Sequence, residues 1–339
     1  MSENLRMPGT IRATGIGSLP GQDLPGAVRH VLGAFELAWL PELPGRGVGA
    51  DLIGRSLAMT DGLAFDLQPQ GWRLADHSGV DHARARALLR RDLDDLEEAA
   101  QGFSGQVTLT VAGPWTLAAS LERPRAERVL ADHGARRELA ESLASGVTAL
   151  IGELGRRLPE VDWRIQLDEP LLPSVMGAKI PTASGLATLR GVDRPLASEL
   201  LGRIARPLGE LTGPVRLHCC APGLDLELMG RSGIDELALD VGTLSARELD
   251  AVGEWLEAGR RLVLGLAPTD VPDALSTPDR IVRRGLDLLR PLGLDPALLL
   301  SGVDISPACG LAGWSLRPAI TQLDALLEAA PLLAEQIAR

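Results

Sequence analysis

Eight short apolar runs, each followed by a stretch with helical spacing, constrain this chain more than any other feature. The runs lie at 11–17, 35–40, 107–113, 163–167, 215–218, 236–240, 261–266 and 297–302. Between them, residues 81–100, 136–157, 196–211, 245–258, 273–292 and 318–337 repeat Leu and Ala at three and four, with acids and arginines opposite. Strands buried on both faces and joined through helices form parallel sheets, because parallel neighbours need a long crossover. A count of eight predicts a single-domain α/β fold, a closed (β/α)8 barrel of the TIM type over residues 1–339. The Gly- and Pro-rich stretch 41–72 is expected to run over the barrel mouth. An open doubly wound sheet is the runner-up. It would need a glycine-rich phosphate loop after the first strand, and Pro20 spoils the helix start that such a loop requires.

A chain of 339 residues with 45% hydrophobic residues can fill such a barrel, with aliphatic side chains carrying the core since Tyr is absent. The net charge is -11 and no basic stripe occurs, so neither nucleic acid nor an anionic membrane is an expected partner. No apolar run reaches the roughly 18 residues of a membrane helix. The first ten residues lack the pattern of an export signal. The expectation is a soluble, cytoplasmic protein.

In parallel barrels the chemistry sits where strands end at their C-terminal side. The predicted strand ends carry Gly17–Ser18, Asp168–Glu169–Pro170, His218–Cys219–Cys220 and Asp240, and the loop after the eighth carries Cys309–Gly310. Three cysteines in a cytoplasmic chain do not suggest a disulfide framework. Two thiols and an imidazole brought together from separate strands are a natural Zn²⁺ set. Side chains alternate along a strand, so His218 and Cys220 leave the same side and Cys219 points into packing. Ligands from separate loops, without paired Cys-x-x-Cys hooks, fit a catalytic rather than a closed structural site. His30, His77, His82 and His133 are expected at the solvated surface.

Four segments, 14–20, 166–170, 218–220 and 306–311, resemble in order and spacing the catalytic C-terminal domain of cobalamin-independent methionine synthase, in the form of its short, single-domain relatives. The resemblance implies a barrel of the kind shared with uroporphyrinogen decarboxylase and a zinc ion on His, Cys, an acid and Cys. The matching positions are His218, Cys220, Asp240 and Cys309, with Asp240 standing where the family has a glutamate. It also implies that the amino-acid part of homocysteine lies against Ile16, Gly17, Ser18 and Asp168. Glu42 is a possible second partner for the ammonium group.

The sequence departs from the family on the donor side. A histidine that serves proton transfer in the long members is Ala267 here, and their folate-stacking tryptophan is replaced by a small residue near Ala119–Ser120. Trp115 is nearby but reads as packing. The expectation is a zinc-dependent methyltransferase for homocysteine or a similar small thiol. Its donor would be a methyl-corrinoid, free or protein-bound, rather than methyl-folate. Two other readings compete: a barrel that binds zinc or a thiol without catalysis, and a uroporphyrinogen-decarboxylase-like enzyme. The decarboxylase would need arginines near the N-terminus, where only Arg6 and Arg12 stand.

Overall fold

Runs of Leu, Val and Ile that face apolar neighbours on both sides must pair edge to edge, and here they do. The computed structural model describes residues 10–124 and 127–339; residues 1–9, Arg6 among them, and 125–126 lie outside the described residues. The strands are β1 (Leu37–Trp39), β2 (Ala64–Gln68), β3 (Gly71–Ala75), β4 (Gln106–Ala112), β5 (Asp162–Asp168), β6 (Arg216–Cys219), β7 (Glu236–Asp240), β8 (Arg261–Ala267) and β9 (Val303–Pro307). Seven of them form one parallel sheet in the order β1-β4-β5-β6-β7-β8-β9, with helices in the crossovers. The protein is thus a single α/β domain built on a parallel sheet.

Six of the eight expected strands are present. The first is not a strand of the sheet. Instead Ala13 pairs with Ile305 of β9 and Thr14 with Leu37 of β1, one residue at each edge. The sheet therefore curls until both edges reach the same segment. The last expectation, 297–302, is corrected. Those residues belong to the helix Pro296–Gly302, which Asp295 caps by accepting from the Ala297 amide at 2.8 Å. The strand begins one residue later, where β-branched Val303 and Ile305 replace the leucines. Likewise residues 273–277 are not helical; the helix there is Pro278–Leu289, capped by Thr277.

The stretch 41–72 holds more structure than its composition suggests. It contains the helix Leu52–Ala58 and most of an antiparallel hairpin, β2 with β3. The helix sits on the C-terminal end of β4, where the Ala112 amide donates to Ser56 Oγ at 2.8 Å. No helix among the described residues is long and apolar enough to cross a membrane.

The register sorts the inner side chains into layers. Gln166, Arg216, Glu236 and Arg261 stand side by side on β5 to β8. Two residues further on, Asp168, His218, Ala238 and Val263 stand side by side in turn. The lower layer is charged and paired: Arg216 Nε donates to Glu236 Oε1 at 2.7 Å, and Arg261 Nη2 to Asp304 Oδ2 at 2.7 Å. Arg12 is held there as well, 3.4 Å from Asp304, so it is not free to act at the mouth.

Removing one member of a buried pair leaves the other charge uncompensated, at a cost of about 3–5 kcal/mol. Glu236→Gln should lower unfolding stability by about that amount in a urea titration. It should leave metal content at the opposite strand ends unchanged. A variant as stable as wild type would show that the layer is not structural.

Candidate metal centre

His218 is the third residue of β6, Cys220 follows its end, and Cys309 stands two residues past β9. One ligand atom from each lies within 4.8 Å of the others. The two sulfurs are 3.3 Å apart, with the Cys309 thiol donating to Cys220. Two sulfurs on one tetrahedral zinc would stand about 3.8 Å apart, so a small outward shift would admit the ion.

The histidine is oriented for the same task. Its Nδ1 donates to the Ala238 carbonyl at 3.2 Å, which places the ring proton on that nitrogen. Nε2 is buried without a hydrogen-bond partner. A backbone carbonyl that fixes the tautomer while the other nitrogen faces a ligand position is the usual second contact of a metal-bound histidine. The chain thus fits a soft divalent metal.

Cys219 plays no part in the group. It is buried in the main core, its thiol donates to the Ala221 carbonyl at 3.6 Å, and burial pushes it up to about 12. The Cys309 thiol is also pushed up to about 12, first by its bond to Cys220 and then by burial. Cys220, which accepts that bond, is lowered.

The fourth expected ligand does not join the group. Asp240 stands two residues past Ala238, at the level of Cys220, but its carboxylate accepts from the Gly242 amide at 2.8 Å. It caps the short 3-10 turn Val241–Thr243 instead. A glutamate there would be longer by one methylene; the shorter aspartate closes this local bond.

The expected substrate residues lie beside the sulfurs. Asp168 neighbours His218 in the register and accepts from Gln166 Nε2 at 2.8 Å. The same nitrogen donates to the Ile16 carbonyl at 2.6 Å, tying the 15–19 loop to β5. Gly17 has φ +149, a conformation that favours glycine, and a Cβ there would approach Thr110. The Ser18 carbonyl accepts from the Leu311 amide at 2.8 Å, and Gly310 leaves the space that Ser18 fills. Loop 15–19 and the Cys309 loop are therefore packed against each other.

Burial raises Asp168 well above the usual carboxylate range; the His218 charge pulls it down and the Glu42 charge pushes it up. Glu42 bridges Ser18 in parallel register and is itself raised by burial, with Arg55 at 3.1 Å opposing. Two acids thus share this space with the Arg55 guanidinium and the His218 ring. Glu169, the next residue, faces elsewhere: its carboxylate accepts from Trp115 N, Thr116 N and Thr116 Oγ1, and burial raises it to about 7. Sequence reasoning missed Gln166 and Arg55 as parts of this site; Arg55 lies in the stretch 41–72, which has no periodicity to expose it. It also misplaced His82, which is buried, with Nε2 to the Leu57 carbonyl at 3.2 Å. Trp115 packs as expected, its Nε1 donating to the Ala197 carbonyl at 3.1 Å.

The sequence matches no protein-family model and no curated protein. Solved structures do share its fold. A B12-independent methionine synthase from Shewanella sp. W3-18-1, in complex with selenomethionine, superposes with a TM-score of 0.60 at 13% identity, over 97% of this chain and 99% of that one. A glycoside hydrolase family 20 β-N-acetylglucosaminidase gives 0.51 at 14% identity, over 95% of this chain and 69% of that one. At such identities the likeness is one of fold, and both neighbours are enzymes.

Cys220→Ser and Cys309→Ser should each lose most of the bound metal by elemental analysis, and Cys219→Ser should keep it. Full retention in the Cys309 variant would remove it from the centre.

Proposed function

We propose that this protein is a zinc-dependent methyltransferase that transfers a methyl group to the thiol of homocysteine, forming methionine. The fold is read as a closed (β/α)8 barrel, supported by the single-residue bridges of Ala13 and Thr14 to both sheet edges. The observation that carries the function is the buried, unpartnered Nε2 of His218 in one group with two sulfurs, beside buried acids. The Shewanella neighbour, a methionine synthase, agrees with it in fold.

His218, Cys220 and Cys309 would hold the zinc, with a position left for a substrate sulfur; Asp240 would have to break its bond to Gly242 to become the fourth ligand. Bound there, zinc lowers the pKa of a thiol while thiolate co-ligands keep the sulfur nucleophilic. The chain's own residues supply recognition. An ammonium group would add a further cation to the space that Asp168 and Glu42 share with Arg55, and it would favour their charged forms. The loop 16–18, fixed through Gln166 and Leu311, closes the space around the amino acid.

The donor in this reading is a methyl-corrinoid. A methyl-folate leaves as an amine nitrogen and needs a proton, help typically worth about 10²–10⁴-fold. Ala267 ends β8 and is fully buried, and its carbonyl accepts from Ala308 N at 2.8 Å, beside the Cys309 loop. The resemblance puts the family's proton-handling histidine here, and alanine cannot carry a proton. A corrinoid keeps the electron pair of the broken cobalt–carbon bond and needs no proton. Purified, zinc-loaded protein should convert homocysteine to methionine with methylcobalamin and not with methyl-folate. Comparable turnover with folate would contradict the donor assignment, and no methionine with either would contradict the reaction.

Asp168→Asn should weaken homocysteine use by about 1.5–3 kcal/mol, the range for hydrogen bonds to charged groups. Thiols without an amine should be spared in kcat/KM assays. Equal losses would make Asp168 structural.

A further inference from the structure

Arg55, on the helix Leu52–Ala58, is only 2% exposed. Its Nη1 donates to Glu42 Oε1 at 3.1 Å. Its Nε and Nη2 are buried and have no hydrogen-bond partner. Those two N–H groups form one edge of the planar guanidinium, the edge that grips a carboxylate with two parallel bonds. This chain uses the same edge in that way elsewhere. Arg73 holds the two oxygens of Asp66 at 3.1 and 2.6 Å. Buried charged donors left unpaired are costly, so an empty edge in the interior calls for an acceptor that the chain does not supply.

Arg55 is tied to the residues beside the metal centre through Glu42. Glu42 links Arg55 to Ser18 by the strand bridge, and the Glu42 charge acts on Asp168. Thr110 Oγ1, 3.3 Å from where a Cβ on Gly17 would stand, is a second buried polar atom there without a partner. An anion entering alone would meet two carboxylates and be repelled. A ligand whose anion and cation are separated by one carbon satisfies both demands.

We propose that the free Nε–Nη2 edge of Arg55 receives the carboxylate of an α-amino acid thiol, while its ammonium group goes to Asp168 and Glu42. This rests on the thiol-methylation reading and makes Arg55 the residue that selects amino acids over simple aminothiols. Loop 16–18 then walls the pocket and does not supply its charge.

Equilibrium binding to zinc-loaded protein, with no methyl donor, tests it with homocysteine and with 3-aminopropane-1-thiol, which is homocysteine without its carboxyl group. Wild type should bind homocysteine at least about 10-fold more tightly, as expected for a bidentate charged contact. Arg55→Gln should erase most of that preference through the homocysteine affinity alone. Arg55→Lys keeps a counter-charge for Glu42 but lacks the fork, so it should fold, retain zinc and still lose the preference. Equal affinity of wild type for the two thiols, or equal losses for both in Arg55→Lys, would overturn the assignment while leaving the thiol reading intact. A zinc-loaded wild type that binds neither thiol would overturn both.

Discussion

The lateral register of β5, β6 and β7 is the constraint on which the rest depends. It puts Asp168 beside His218 and His218 beside Ala238. The first pairing sets an acid next to the imidazole. The second gives Nδ1 a carbonyl and leaves Nε2 free. A slip by one residue would turn every one of these side chains to the other face, because side chains alternate with period two. Cys220 would then leave the site and Cys219, now inert in the core, would enter it. The curl of the sheet supplies the remaining partner, bringing Cys309 across 89 residues of sequence to a sulfur contact of 3.3 Å.

The same inner face carries charge at two levels with opposite treatment. In the lower level every charge has a partner: Arg216 with Glu236, and Arg261 and Arg12 with Asp304. That level is closed and structural. At the upper level the bookkeeping is left open: His218 Nε2 and one edge of Arg55 lack partners, and Asp168 and Glu42 are raised by burial. Unpartnered buried groups that cluster with titratable side chains are candidates for ligand contact, because a ligand can offset their desolvation. The open groups are an unpartnered nitrogen, two sulfurs, two acids and a guanidinium edge. Together they match a soft metal and a zwitterionic thiol.

Much of this was legible in the sequence, and the exceptions have physical causes. Six strands could be read because a buried parallel strand is a short apolar run. The run 297–302 misled because leucines fit a buried helix as well as a strand, and only the cap at Asp295 decides. His218 and Cys220 were legible because period-two alternation puts them on one side, and Cys309 because it recurs near a predicted strand end. Asp240 was legible as an acid at the right level, but not its bond to Gly242, since local capping competes with any longer reach. Arg55 was illegible because its role comes from a tertiary contact with Glu42, made by an irregular stretch. His82 looked solvated among polar neighbours, yet its helix buries it against Phe65.

The most direct test is the absorption spectrum of the cobalt-substituted protein titrated with homocysteine. Cobalt in a His, Cys, Cys site shows a sulfur-to-metal charge-transfer band, and a substrate thiolate joining the metal should strengthen and shift it. Titration should saturate at one homocysteine per metal, and Cys309→Ser should remove the starting band. A band that stays unchanged at saturating homocysteine would mean a closed structural centre and would contradict the proposed role in thiol activation.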